Sequence, residues 1–173
     1  MRYKLAGFVA AAAMAVAGVA MAADGPNDAQ IAHIAYTAGN IDVAAGKQAL
    51  AKSHNKAVRE FASEMVRDHQ AVNDKALTLV KQLKVTPEDN ATSKALNKGA
   101  ADEMKKLAAL KGSAFDKAYA ANEVAFHKTV NGALKSTLIP SANNAQLKSL
   151  LETGLTLFTE HQHHAEHLAS ELK

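Results

Sequence analysis

The chain has no cysteine and no tryptophan, and only three prolines among its 173 residues. Without cysteine there is no disulfide, no thiolate nucleophile, no thiolate metal ligand and no site for lipid attachment at a cysteine. Any exported form must therefore be held together by its core alone. Aromatic residues make up 5% of the chain, and no basic patch with interleaved aromatics occurs, so nucleic acid is not an expected partner. A glycine-rich phosphate loop and a Gly-x-Ser-x-Gly nucleophile motif are both missing, which leaves no recognised catalytic motif on which to rest an enzyme. Scarce proline, abundant alanine and helical periodicity point to an all-α protein of one domain.

The first residues have a different character. Arg2 and Lys4 precede an apolar, alanine-rich run from Leu5 to Val19, and Ala20-Met21-Ala22 follows the small-x-small cleavage rule. This pattern predicts a secretory signal peptide over 1–22 and a mature domain over 23–173, periplasmic or secreted. The run is short for a membrane span, so the mature chain is expected to be soluble rather than membrane-spanning. Loss of Arg2 and Lys4 takes the charge balance from 20 Lys+Arg against 17 Asp+Glu to 18 against 17. Much of the calculated basicity therefore belongs to the leader.

In the mature part, Val58, Ala62, Met65, His69, Val72, Ala76, Leu79 and Leu83 recur by steps of four and three, the spacing of one inward helix face. One member of that face is a histidine preceded by Asp68. Upstream, Asn27 and Gln30 form a capping pair for a first helix running to about Lys52. Its inward stripe of Ile31, Ala35, Ala38, Asp42, Ala45 and Ala49 includes an acid, and Gly39 and Gly46 permit close approach of a neighbour. Ser53-His54-Asn55 is too short a link for anything but an antiparallel pair. Asp42 lies 13 residues before Asn55 and His69 lies 14 after it, so the two are expected at one height.

Thr86 and Pro87 predict the start of a third helical segment over about 88–110. Gly112, followed by Ser113 and Asp116 as a fresh cap, predicts a break and a second piece over about 114–137. On that piece Phe115, Tyr119, Glu123, His127, Val130 and Leu134 share a face. Pro140 is expected to end it. The last helix then carries Leu147, Leu150, Gly154, Leu157, His161, His164 and Leu168 inward. This makes an up-down four-helix bundle with an interrupted third helix.

The Phe61-Ala62-x-x-Met65-Val66-x-Asp68-His69 element, Phe115-Asp116-x-x-Tyr119 with His127, and His161 near the end together resemble the secreted bacterial helical proteins grouped as domain of unknown function 4142. The resemblance covers about 29–168. It implies a ferritin-like arrangement and export, and it marks Asp68, His69, His127 and His161 as the family's polar pattern. Asp42 stands where a glutamate is expected, a shorter acid that keeps the charge but not the reach.

Candidate metal ligands follow from side chains projecting inward from facing helices: Asp42, Asp68, His69, Glu123, His127, His161 and His164. Neutral imidazole and carboxylate suit copper, zinc or iron. Asp68 has an alternative role in orienting a histidine. A two-iron centre built on Glu-x-x-His is disfavoured, because Glu123 and His127 stand four apart, as do Glu160 and His164. With the third region ending near Thr137, His127 and His161 should miss one another in height by roughly 12 Å, which favours two polar clusters over one. His163 and His167 form an exposed i,i+4 pair, a spacing that can chelate an ion but that equally suits a solvated helix end. The alternative to metal binding is a non-catalytic envelope stress or interaction protein whose inward histidines form a structural polar network.

Overall fold

The computed structural model describes Gly25–Leu172; the leader expected over 1–22 lies outside the described residues. Among the described residues six α-helices follow one another: α1 (Asp28–Lys52), α2 (Lys56–Gln82), α3 (Ala91–Ala109), α4 (Gly112–Ala133), the three-residue α5 (Ile139–Ser141) and α6 (Ala145–Glu171). A π turn, Leu134–Leu138, joins α4 to α5. Among the described residues no helix is long and apolar enough to cross a membrane.

The Asn27–Gln30 capping box is present: each side chain bonds the other residue's backbone N–H. Asn55 caps α2 through Val58 N–H. The third start differs from the expected one. Thr86 to Asp89 stay non-helical, and the cap is Asn90, reciprocated by Ser93. An asparagine with a serine three residues on satisfies the same orphan amides as Thr86 with acids would, and here it prevails. The Ser113–Asp116 cap does not form either. α4 starts after Lys111, which gives no side-chain cap, with Gly112 in the left-handed region at φ 54°. Such a backbone is nearly free of cost for glycine alone, and the chain reverses there.

Contacts at the helix ends fix the directions. Asn90 Nδ2 donates to Gln30 O near the start of α1, and Lys52 Nζ donates to Ala108 O near its end, so α3 runs parallel to α1. Lys52 lies over the Phe115 ring, and the Asn143 and Asn144 N–H groups donate to the Asp28 carboxylate, so the α4–α5 segment runs back antiparallel to α1. The interruption of the third helical region is thus a reversal. The bundle proper is α1, α2, α4 and α6, and α3 is the crossover lying outside α1, with only Ser93 and Leu107 buried. One crossover between two antiparallel pairs is a known connectivity of four-helix bundles.

Pro140 does not end the segment. It lacks an N–H, and its ring presses on the carbonyl four residues back. The wider turn just before it, in which Ile139 N–H reaches Leu134 O, carries the helix through to Ser141. Gly46 has the close-approach role expected of it. A Cβ there would stand 3.0 Å from Ala62 O and 2.8 Å from Val66 Cγ2 on α2.

Two apolar clusters fill the bundle, and a polar layer separates them. One cluster holds Phe61, Met65, Phe115, Tyr119, Ala165 and Leu168; the other holds Ile31, Leu134, Leu138, Leu151 and Phe158. Each bundle helix crosses from one cluster to the other at its polar residue: Asp42 on α1, His69 on α2, Glu123 and His127 on α4, and His161 on α6.

Candidate metal centre

These five side chains meet. Each residue is at most 2% exposed. His69 Nε2 lies 3.3 Å from Asp42 Oδ2, as the matched heights across the α1–α2 link predict. His127 Nε2 lies 3.9 Å from the same oxygen. The three imidazole rings surround one point, with centroids 5.3 to 5.7 Å apart. Each of His69, His127 and His161 offers a ring nitrogen within 4.8 Å of the other two, and Asp42, Glu123 and His127 form a second such set.

The expected height mismatch between His127 and His161 is therefore overturned. The helix through the π turn ends at Ser141, 14 residues after His127, and His161 lies 16 residues into α6. Counted from the true hairpin ends, the two histidines are nearly level. There is one polar layer here, not two clusters.

Asp68 and His69 are consecutive, so their side chains leave α2 about 100° apart and do not face one point. Asp68 turns to α6, where its Oδ2 is 3.1 Å from His161 Nε2. Arg67 holds the same carboxylate with Nε 2.6 Å from Oδ1 and Nη2 2.9 Å from Oδ2. That guanidinium, ahead of the His161 bond, keeps the Asp68 carboxyl below its ordinary range. An ionised Asp68 accepts the Nε2–H of His161 and fixes the tautomer, leaving Nδ1 with its lone pair. His127 is oriented in the same way by its own helix: Nδ1 donates to Glu123 O at 3.0 Å, which leaves Nε2 bare.

His164 does not join the layer. It is exposed, its Nδ1 lies 2.7 Å from Glu64 Oε2, and its ring meets Phe61 edge-on. The inward stripe of α6 is Leu147, Leu151, Gly154, Phe158, His161, Ala165 and Leu168. It is shifted by one position from the expected stripe at Leu150, Leu157 and His164. The shift brings in Phe158, absent from the sequence reading, which stacks on His69 at 4.6 Å. Its aromatic bulk beside the smaller Ala165 was the available signal. Asn131 also goes unforeseen: its Nδ2 donates to Phe158 O and Gln162 Oε1, tying α4 to α6 beside the histidines. His163 is exposed, and His167 Nδ1 faces Glu171 Oε2 at 3.8 Å, a solvated helix end.

Burial keeps His69 and His161 as neutral imidazoles, and one carboxyl of the layer keeps its proton. Burial lowers the His69 pKa from its usual 6.5 to about 4, and burial likewise lowers that of His161. Burial, reinforced by the Asp42 charge, raises the Glu123 carboxyl well above its ordinary range, so Glu123 stays protonated against Asp42. Tyr119, one turn before Glu123, is raised by burial too.

Both nitrogens of His69, Nε2 of His127, Nδ1 of His161 and the Tyr119 hydroxyl have no hydrogen-bond partner, whereas the protonated Glu123 carboxyl hydrogen-bonds Asp42. A buried polar atom without a partner costs about 1–3 kcal/mol. Most of these atoms are lone-pair donors converging on one place, which is what a cation requires. Nitrogens bonded to one tetrahedral ion at about 2.1 Å would stand roughly 3.4 Å apart. The observed limit of 4.8 Å therefore asks for inward movements of about 1 Å, within reach of small rotations of each ring.

The fold and the layer define a class: a four-helix bundle crossed at mid-height by buried histidines and acids from all four helices. The chain belongs to the family described as Domain of unknown function (DUF4142), whose profile matches residues 11–168. No curated protein and no solved structure matches it.

Proposed function

We propose that this chain binds one transition-metal ion through His69, His127 and His161, with Asp42 and Glu123 completing the shell. The observation that carries the reading is the convergence of three imidazoles from three helices, each with a buried, unpaired ring nitrogen. Nitrogen-rich donors with carboxylate suit copper or zinc, and iron less closely. Three histidines and two acids, with no Glu-x-x-His among these inward residues, make a poor two-iron set. A bound dication would draw the spare proton from Glu123, so uptake releases acid. The single crossover through α3 supports a ferritin-like arrangement.

We place this activity in the cell envelope, because Arg2, Lys4, the alanine-rich run and Ala20-Met21-Ala22 form an export signal. An intact mass starting at Ala23 in the periplasmic fraction is the expected result. A membrane-bound form retaining Met1 would oppose it.

The competing reading, a structural polar network, is favoured by the Asp68–His161 and Glu123–His127 bonds. It is disfavoured by the unpaired atoms, since a network that only fixes helix register satisfies its members. The separating experiment is a calorimetric titration of zinc and copper into wild type and His69→Ala. Metal binding predicts a one-to-one site lost in the variant. Equal heats in both proteins would contradict it.

A further inference from the structure

The buried layer is sealed, so an ion must have a way in, and one flank is not walled by apolar groups. His161 also belongs to a third ligand set: it, Glu64 and Asp68 each offer an atom within 4.8 Å of the others. Side-chain exposure climbs along this flank, from 1% at His161 through 17% at Asp68 and 29% at Glu64 to 49% at His164. Glu64 and Asp68 stand one turn apart on α2, and His161 and His164 one turn apart on α6; His164 adjoins the set at Glu64, its Nδ1 2.7 Å from Oε2. The His164 ring is steadied edge-on against Phe61 at 5.3 Å. Of the nitrogens of His161, Nε2 meets Asp68 in this outer set and Nδ1 is buried and unpartnered.

We propose that Glu64, Asp68, His161 and His164 form an outer site for a divalent transition-metal ion, through which the buried set is loaded. The inference rests on the metal reading of the buried layer. Two carboxylates and an accessible imidazole suit capture of a partly hydrated ion from solvent. His161 is shared by both sets: Nε2 takes the outer ion with the ring proton shifted to Nδ1, and the proton returns to Nε2, against Asp68, as Nδ1 takes the ion inward. Arg67 opposes entry. Its guanidinium occupies both Asp68 oxygens, but its side chain is 70% exposed and free to swing outward.

The test is stopped-flow zinc uptake by the metal-free mature chain, followed by loss of zinc from a chelating dye. Glu64→Gln with His164→Gln is expected to slow loading at least tenfold. Arg67→Gln is expected to speed it several-fold, a gain that general surface damage would not produce. The metal-free melting temperature and helical circular dichroism of each variant serve as the folding check. A double variant that loads at the wild-type rate overturns the outer site and leaves the buried site standing. Wild type and His69→Ala taking up zinc to the same stoichiometry overturns the buried site, and the loading route with it.

Discussion

Replacing His69 by leucine should make the metal-free protein more stable while abolishing its response to metal. The imidazole is 2% exposed, and neither nitrogen has a hydrogen-bond partner. A neutral ring buries one donor and one acceptor. Leaving such groups unpaired costs about 1–3 kcal/mol each, and leucine removes both at similar volume. Two losses offset part of the gain. The stacked contact with Phe158 is worth about 0.5–1.5 kcal/mol, and the 3.3 Å approach to Asp42 disappears. A net gain of roughly 1–3 kcal/mol remains, or about 2–10 °C in melting temperature for a domain of this size. Metal at a hundred times its dissociation constant should stabilise wild type by about 2.7 kcal/mol and the leucine variant not at all. Thermal melts with chelator and with zinc or copper, on both proteins, give all four numbers. A leucine variant that melts lower than wild type without metal, yet keeps the full metal increment, would refute the reasoning.

Three further outcomes are expected. His69 has a folded pKa of about 4 against 6.5 unfolded, so its contribution is intact above pH 6.5 and is lost as pH falls toward 4. Urea melts should then show wild type losing about 3 kcal/mol relative to His69→Leu between pH 7 and pH 4; a gap that stays constant with pH would argue against a buried neutral ring. Gly46→Ala should destabilise by about 1–3 kcal/mol, since its Cβ would press on Ala62 O and Val66. Gly99→Ala, with nothing within 4 Å of the new methyl, should stabilise by roughly 0.5–1 kcal/mol, so equal shifts in chemical denaturation would contradict the packing. Hydrogen exchange should be fastest in α3, which buries only Ser93 and Leu107, and protection there equal to that of α2 would count against a loosely held crossover.

The polar layer was largely legible because helix geometry is arithmetic. The meeting of Asp42 with His69 needs only two counts from a three-residue link, and the inward position of His69 only the four-three spacing of its neighbours. His127 and His161 were harder to place together, since Pro140 signals a helix end at the residue level. Whether a π turn absorbs the proline depends on packing around Leu134 and Leu138, which no local signal carries. The α6 stripe failed for another reason. An apolar face is wider than one residue, so Leu157 with His164 and Phe158 with Ala165 both satisfy the period. The choice between them is made by the partner helix, where His69 receives the Phe158 ring. The reversal at Gly112 was visible as a break but not as a change of direction, because direction depends on what α3 packs against.

The most direct test is anomalous diffraction at the zinc or copper absorption edge from crystals of the metal-loaded chain. One strong peak is expected within about 2.1 Å of His127 Nε2 and His161 Nδ1, with His69 as third nitrogen ligand and a carboxylate from Asp42 or Glu123. A bundle that carries no peak among these side chains, or that binds metal only at the exposed His163 and His167, would contradict it.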